Sequence, residues 1–270
     1  MRLWIRVSSL AVLAAGLGSV APARASVIAQ WTFDGDGAAF LADSSGNGNG
    51  LDNYQAVQSS ATPTGAGSSA YFNGAAGLWT HTNLNLASYR SLTISWSQLV
   101  QTESAGMVFE HSDAAAWHSG GFYVLANGIA NGRGDAFLSN CDLRTPTNPT
   151  TNAVQFSHSS GAANTTWDNM RLEMNLDAAS NTSVLQVYRD GTLISDYNST
   201  YWGYDQAGPA ASSLGDFVFN IGTRQGGSIF FTGYLDNITI EGTAVPEPSA
   251  MALAASGLVG LLAYAWRKRR

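Results

Sequence analysis

The chain has 270 residues, a net charge of −6, 45% hydrophobic and 12% charged residues, and 29 glycines. That composition excludes a charge-rich disordered chain and a long helical bundle or coiled coil. The acidic balance speaks against nucleic acid as a partner, and a single cysteine excludes an internal disulfide framework and a cysteine-rich zinc site.

In chain order, residues 1–25 read as a secretory signal peptide. Arg2 and Arg6 form a positive start, Leu10 to Ala21 is apolar and small, and Ala23-Arg24-Ala25 gives the small-x-small cleavage pattern. Residues 26–244 follow as one domain. Short segments rich in β-formers recur there between Gly, Asn and Ser turns: Val27 to Phe33, Ser69 to Asn73, Ser91 to Val100, Met107 to Glu110, Gly121 to Ala126 and Asp135 to Ser139. Met170 to Leu176 and Val184 to Arg189 alternate apolar and polar residues, as half-buried strands do. Asp190-Gly191 predicts a tight hairpin turn, because that dipeptide tolerates positive φ. Phe217 to Ile221 and Tyr234 to Ile240 close the domain, and no segment within it reads as a long amphipathic helix. Many short strands with such turns predict an all-β, two-sheet jelly-roll sandwich, flanked by an N-terminal signal helix and a C-terminal transmembrane helix.

Residues 245–270 form the last segment: Pro246-Glu247-Pro248, an apolar helix over about 249–266, and the basic tail Arg267-Lys268-Arg269-Arg270. The helix has the minimum length for a membrane span, and the positive-inside rule puts its basic end in the cytoplasm. Triplet, helix and basic end in that order resemble the PEP-CTERM sorting signal. The resemblance implies processing by an exosortase, transient anchoring in the inner membrane, and a destination at the cell surface, in the extracellular matrix or outside the cell.

A second resemblance rests on three motifs in order. Trp31-Thr32-Phe33-Asp34 leads into Asp43-Ser44-Ser45-Gly46-Asn47-Gly48. Tyr71-Phe72-Asn73-Gly74 sits in the middle, and Gly233-Tyr234-Leu235-Asp236-Asn237-Ile238 closes the set. Together they resemble the LamG-like, concanavalin A-type lectin/glucanase jelly roll. By that resemblance Asp34, Asp43, Asn47 and Asp236 are candidate ligands for a structural Ca²⁺, a cation that takes oxygen donors. The alternative reading of the same loop is a metal-free Asx-turn.

Candidate glycan contacts are Trp117, Tyr123, Tyr201, Trp202 and Tyr204, aromatics set among polar loop residues, where ring faces stack on sugars and polar groups bond hydroxyls. Catalysis by a glycosidase needs two facing carboxylates. Glu110-His111-Ser112-Asp113 lacks the paired-carboxylate spacing of laminarinase-type enzymes, which leaves Glu110 with His111 or His118 as the remaining acid/base candidates. No metal-ligand histidine spacing occurs, and Cys141 reads as an inert thiol.

Without its two ends the domain carries six basic and eighteen acidic residues and no lysine. So acidic a surface favours neutral polysaccharides, or acidic ones bridged by calcium. The expected function is therefore non-enzymatic carbohydrate binding at the cell surface or in the matrix. Its rivals are a glycan-active hydrolase or lyase on the same fold, and a structural biofilm-matrix protein with no defined ligand.

Overall fold

A computed structural model describes residues 25–86, 89–101, 106–112, 121–126, 136–139, 153–156, 166–177, 182–199, 216–224, 227, 229–244, 264 and 266–268. The candidate contacts Trp117, Tyr201, Trp202 and Tyr204, together with His118, Cys141 and the Pro246-Glu247-Pro248 triplet, lie outside the described residues, as does the signal segment 1–24. Of the expected C-terminal helix, Tyr264 and Trp266 are described and are helical. Among the described residues no helix is long and apolar enough to cross a membrane.

The domain is a sandwich of antiparallel sheets, as the strand pattern predicts. The first sheet is built from β1 (Ala25–Trp31), β3 (Val57–Ser59), β4 (Ser69–Asn73), β7 (Tyr89–Val100), β12 (Asp168–Asp177), β13 (Thr182–Arg189), β14 (Thr192–Ser199) and β17 (Thr232–Ala244). Its order is β14-β13-β12-β7-β17-β4-β3, with β1 also paired to β17. The second sheet contains β2 (Leu51–Tyr54), β5 (Gly77–Thr80), β8 (Gly106–Ser112), β9 (Gly121–Ala126), β10 (Ala136–Ser139), β11 (Ala153–Phe156) and β16 (Phe219–Ile221). It runs β11-β10-β9-β8-β16-β5-β2. A small ladder joins β6 (Leu84–Asn85) to β15 (Asp216–Phe217). One turn of 3-10 helix, Gly37–Leu41, follows β1 and buries Phe40.

Strand periodicity assigns the faces. In β7, Leu92, Ile94, Trp96, Gln98 and Val100 are buried, while Ser91, Thr93, Ser95 and Leu99 on the alternate positions are half-buried. Aromatic rings from both sheets meet in the core among aliphatic side chains. Trp31 of β1 stacks on Phe219 of β16 at 5.8 Å, and Trp96 of β7 meets Phe109 of β8 edge-on at 5.0 Å. Truncating one such ring to alanine costs about 3–5 kcal/mol. The β13–β14 hairpin turns at Asp190 (φ 49°) and Gly191 (φ 78°), the pair of positive φ angles the dipeptide predicts. The Asp190 carboxylate also accepts the backbone N–H of Asn169, which ties the turn to β12.

The expected strand over Phe217 to Ile221 is divided, Asp216–Phe217 pairing with β6 and Phe219–Ile221 entering the second sheet. The last strand is longer than its apolar pattern predicts. β17 runs from Thr232 to Ala244 because β1 covers its C-terminal half, Ala25 opposite Thr243.

Candidate functional site

The loop from Asp43 to Asn49 is a clamp on β1. Asp43 accepts four hydrogen bonds, from Gln30 N–H (3.0 Å), Ser45 N–H (2.9 Å), the Ser45 hydroxyl (2.6 Å) and Asn49 N–H (2.9 Å). These fill the roughly four acceptor sites of a carboxylate. Burial alone pushes the Asp43 carboxyl up, but the bonds from Ser45, Gln30 and Asn49 outweigh it and hold it below its ordinary value. Asn47 donates its side-chain amide to the Val27 and Ile28 carbonyls, and Asn49 adds a second bond to Ile28 O. These amides bind two carbonyls of β1 and so tie the loop to the strand. Trp31 Nε1 donates to Asn49 O at 2.9 Å, so the buried ring is bonded to the same loop.

Asp34 and Asp236 have different surroundings. Asp34 Oδ1 accepts the Ser68 N–H at 3.0 Å. Gly67 (φ +83°) lies so close that a Cβ there would sit 2.1 Å from that oxygen, so a side chain at 67 would displace the carboxylate. Asp236 is 3% exposed, and its Oδ1 accepts the Asn237 N–H at 2.7 Å. Burial pushes its carboxyl up to about 7, the Asn237 N–H opposes this, and the nearby Asp34 charge adds to it. The structure thus brings Asp34 and Asp236 into electrostatic contact and gives Asp43 and Asn47 to the clamp. Among the described residues no three His, Cys, Asp or Glu side chains gather as a metal-binding group.

The second sheet carries a cleft on its outward face. A register row crosses five strands: Tyr123 of β9 pairs with Glu110 of β8, Glu110 with Asn220 of β16, Asn220 with Trp79 of β5, and Trp79 with Asp52 of β2. The neighbours of these residues along each strand, Phe109, Ile221 and Leu78, are core, so Glu110, Asn220 and Trp79 project away from it. The cleft holds about 530 Å³ and is lined by Tyr54, Trp79, Asn220, Arg224 and Phe230, among others. That volume is in the range of sites that take drug-sized molecules. Trp79 and Tyr54 lie on adjacent strands at a diagonal, which brings aromatic side chains within reach of one another. Asn220 lines the wall with an amide nitrogen that has no hydrogen-bond partner among the described residues. Arg224 Nε lies 3.7 Å from Glu110 Oε1, both side chains being largely buried. At the rim, His81 Nδ1 and Asp52 Oδ1 pair at 2.8 Å.

The Glu110–His111 acid/base pairing is not formed, because neighbours on a strand face opposite ways. His111 is fully buried, its Nε2 lies 2.8 Å from Leu84 O, and its ring packs against Phe217 and Phe219. Burial pushes its pKa down to about 4 despite that bond, so it is neutral at physiological pH. Tyr123 holds the register position beside Glu110. The sequence reasoning missed Trp79, Tyr54, Asn220 and Arg224. Its one available signal was the apolar Gly77-Leu78-Trp79-Thr80 run, too short to show which residue faces outward.

Comparisons with known proteins agree with both halves of this architecture. Residues 244–270 match the PEP-CTERM protein-sorting motif. No curated protein matches the sequence. In structure, the chain is similar to the botulinum neurotoxin serotype D binding domain (TM-score 0.51, 10% identity, 86% of this chain and 52% of that one). A second similar structure, with TM-score 0.51 and 11% identity over 86% and 51% of the two chains, concerns botulinum neurotoxin type C, whose cell entry depends on interaction with two ganglioside molecules. A third is an endo-1,3-beta-glucanase from Streptomyces sioyaensis (TM-score 0.50, 11% identity, 84% of this chain and 100% of that one). The chain spans about half the length of the toxin domains it matches. At these identities the likeness shows the fold. The chain thus has a jelly-roll fold followed by a PEP-CTERM sorting motif, which implies export and transit to the cell surface.

Proposed function

We propose that this protein is a non-enzymatic carbohydrate-binding jelly roll, released by an exosortase to the cell surface, the extracellular matrix or the medium, and that the cleft of the second sheet is its glycan site. The observation that carries this reading is the pairing of two outward aromatics, Trp79 and Tyr54, in one cleft with Asn220, whose amide nitrogen has no partner among the described residues. Aromatic faces take the C–H faces of sugar rings, and the amide supplies a bond to a hydroxyl. The ligand class is a neutral polysaccharide, or an acidic one bridged by calcium, because the domain is strongly acidic. Tyr123 is retained as a candidate contact by its place beside Glu110, and Trp117, Tyr201, Trp202 and Tyr204 remain proposals from sequence. Titration of the full chain with neutral oligosaccharides, followed by Trp fluorescence, tests the reading. Binding that survives Trp79→Ala unchanged would remove the cleft from it.

The rival hydrolase reading has one supporting feature, the buried Glu110 opposite Asn220 in the same register row. The other carboxylate in the same register row, Asp52, is three strands away, or about 14 Å at the usual strand spacing. Glycosidase pairs stand roughly 5–9.5 Å apart. Glu110 Oε1 also lies 3.7 Å from Arg224 Nε. Release of reducing ends from a β-1,3-glucan would restore the enzyme reading. The third reading, a matrix protein without a ligand, predicts self-association and no glycan binding.

We also propose a structural Ca²⁺ held between Asp34 and Asp236. The two carboxylates are hard oxygen donors, and a cation between them would offset the charge that burial makes costly at Asp236. Asp43 and Asn47 fit the metal-free Asx-turn alternative better, since their polar atoms are bonded within the clamp.

A further inference from the structure

The outward face of the first sheet carries a second aromatic row, on the opposite side of the sandwich from the cleft. Val57 of β3 is paired with Tyr71 of β4, and Tyr71 with Tyr234 of β17. The rings of Tyr71 and Tyr234 lie 4.9 Å apart, and Trp167, just before β12, lies 6.2 Å from Tyr234. Leu99 stands near the end of β7, the strand between β12 and β17, and is half-buried. From β3 to β12 the row crosses four strand spacings, about 19 Å.

Three properties identify what such a row suits. It is linear and runs across the strands, which matches an extended polymer better than a compact ligand. Its members carry no formal charge, and the polar groups they bring are hydroxyls and an indole N–H, beside the side-chain amide of Gln101, which donates to the Tyr234 hydroxyl at 3.4 Å. The domain around it is Lys-free and strongly acidic, so a second copy meets like charge, whereas an uncharged sugar chain meets none. Val57, at the open end of the row, is 55% exposed, while Tyr71, Trp167 and Tyr234 are half-buried.

We infer that this row is a second glycan platform, for an uncharged polysaccharide chain, and that the domain cross-links two chains through its opposite faces. The cross-linking rests on the cleft reading above, whereas the platform stands on its own residues. Two sites on opposite faces engage separate chains of a network, and avidity then exceeds the affinity of either site.

The test is affinity electrophoresis of the full chain in gels holding a soluble β-1,3-glucan, a galactomannan or a dextran, with light scattering of the protein–polysaccharide mixtures. Wild type is expected to be retarded in at least one gel and to raise scattering. Tyr71→Ala and Val57→Glu are each expected to weaken retardation about fivefold, the scale of one lost aromatic contact or one charge set against the row, and to abolish the rise in scattering. Val57→Glu serves as the second variant because Val57 is exposed and its change leaves the core intact. Retardation lost with Trp79→Ala alone, and unchanged in both row variants, overturns the platform while leaving the cleft. Retardation lost in the row variants and kept in Trp79→Ala supports the platform and removes the cleft. No retardation of wild type in any gel overturns both. A concentration-dependent dimer in sedimentation that Val57→Glu dissociates overturns the platform in favour of self-association.

Discussion

Replacing Asp236 by Asn tests the electrostatics of the clustered carboxylates most directly. The folded carboxyl stands at about 7 against an ordinary value of 3.8, with burial as the main cause. A raised acid favours the fold in its protonated form. Its contribution is complete below about pH 4, declines as pH rises, and is gone above about pH 7. The loss accumulates between these limits to roughly 4 kcal/mol. Asp236→Asn keeps an oxygen to accept the Asn237 N–H and removes the charge beside Asp34. The new amide N–H groups need acceptors, and an unmatched one costs about 1–3 kcal/mol. The expected net gain at pH 8 in EDTA is therefore about 1–3 kcal/mol, or a Tm higher by roughly 2–12 °C for a domain of this size. Thermal melts of the full chain by circular dichroism, with EDTA and with millimolar calcium, read both effects. Calcium should raise the Tm of wild type and leave the variant unchanged. A variant that melts at or below wild type in EDTA at pH 8 refutes the electrostatic reasoning. Wild type that ignores calcium refutes the proposed metal while leaving the charge argument in place.

Three further outcomes follow from particular contacts. Trp79→Ala should reduce affinity for a neutral oligosaccharide about tenfold with little change in Tm, because Trp79 faces the cleft and not the core, as isothermal titration and a melt would show. Asp43→Ala removes the acceptor of four hydrogen bonds and should cost roughly 2–4 kcal/mol in urea unfolding, with faster amide exchange at Gln30 and Asn49. His111, held neutral down to about pH 4, makes the fold lose stability as pH falls from 6.5 towards 4, the reverse of Asp236. The two trends oppose each other in that window, so Asp236→Asn in EDTA should lose stability on acidification more steeply than wild type does. Parallel pH profiles would count against the Asp236 assignment, and an Asp236→Asn profile that stays flat from pH 6.5 to 4 would count against that of His111.

Much of the architecture is legible in the residues. The long alternating runs of β7, β12 and β13 and the Asp190-Gly191 turn each hold their information within a few neighbours, and the structure places them as expected. The eight-residue β14 is implied only by the Asp190-Gly191 turn, and the strands that escaped detection, β2, β3, β5, β6 and β11, have only two to four residues. In so short a run the alternation has no room to repeat, and pairing with a remote neighbour makes the strand. The site was less legible for the same reason. Its row gathers Glu110, Asn220, Trp79 and Asp52 from strands far apart in the chain, through pairings the sequence does not display.

The amino-acid sequence by itself determined the class and the address: an all-β domain, and a sorting motif at the C-terminus read from contiguous residues. Tertiary structure decided what each aromatic and each carboxylate does. Trp31 and Trp96 are buried between the sheets while Trp79 lines a cleft, although all three sit in apolar strands. Asp43 is saturated by local hydrogen bonds, whereas Asp236 is buried with one bond beside another carboxylate. The physical reason is that solvation and register belong to the packed sheets. A side chain's chemistry is set by the face it is given and the groups that face it, and both are fixed only when distant strands pair.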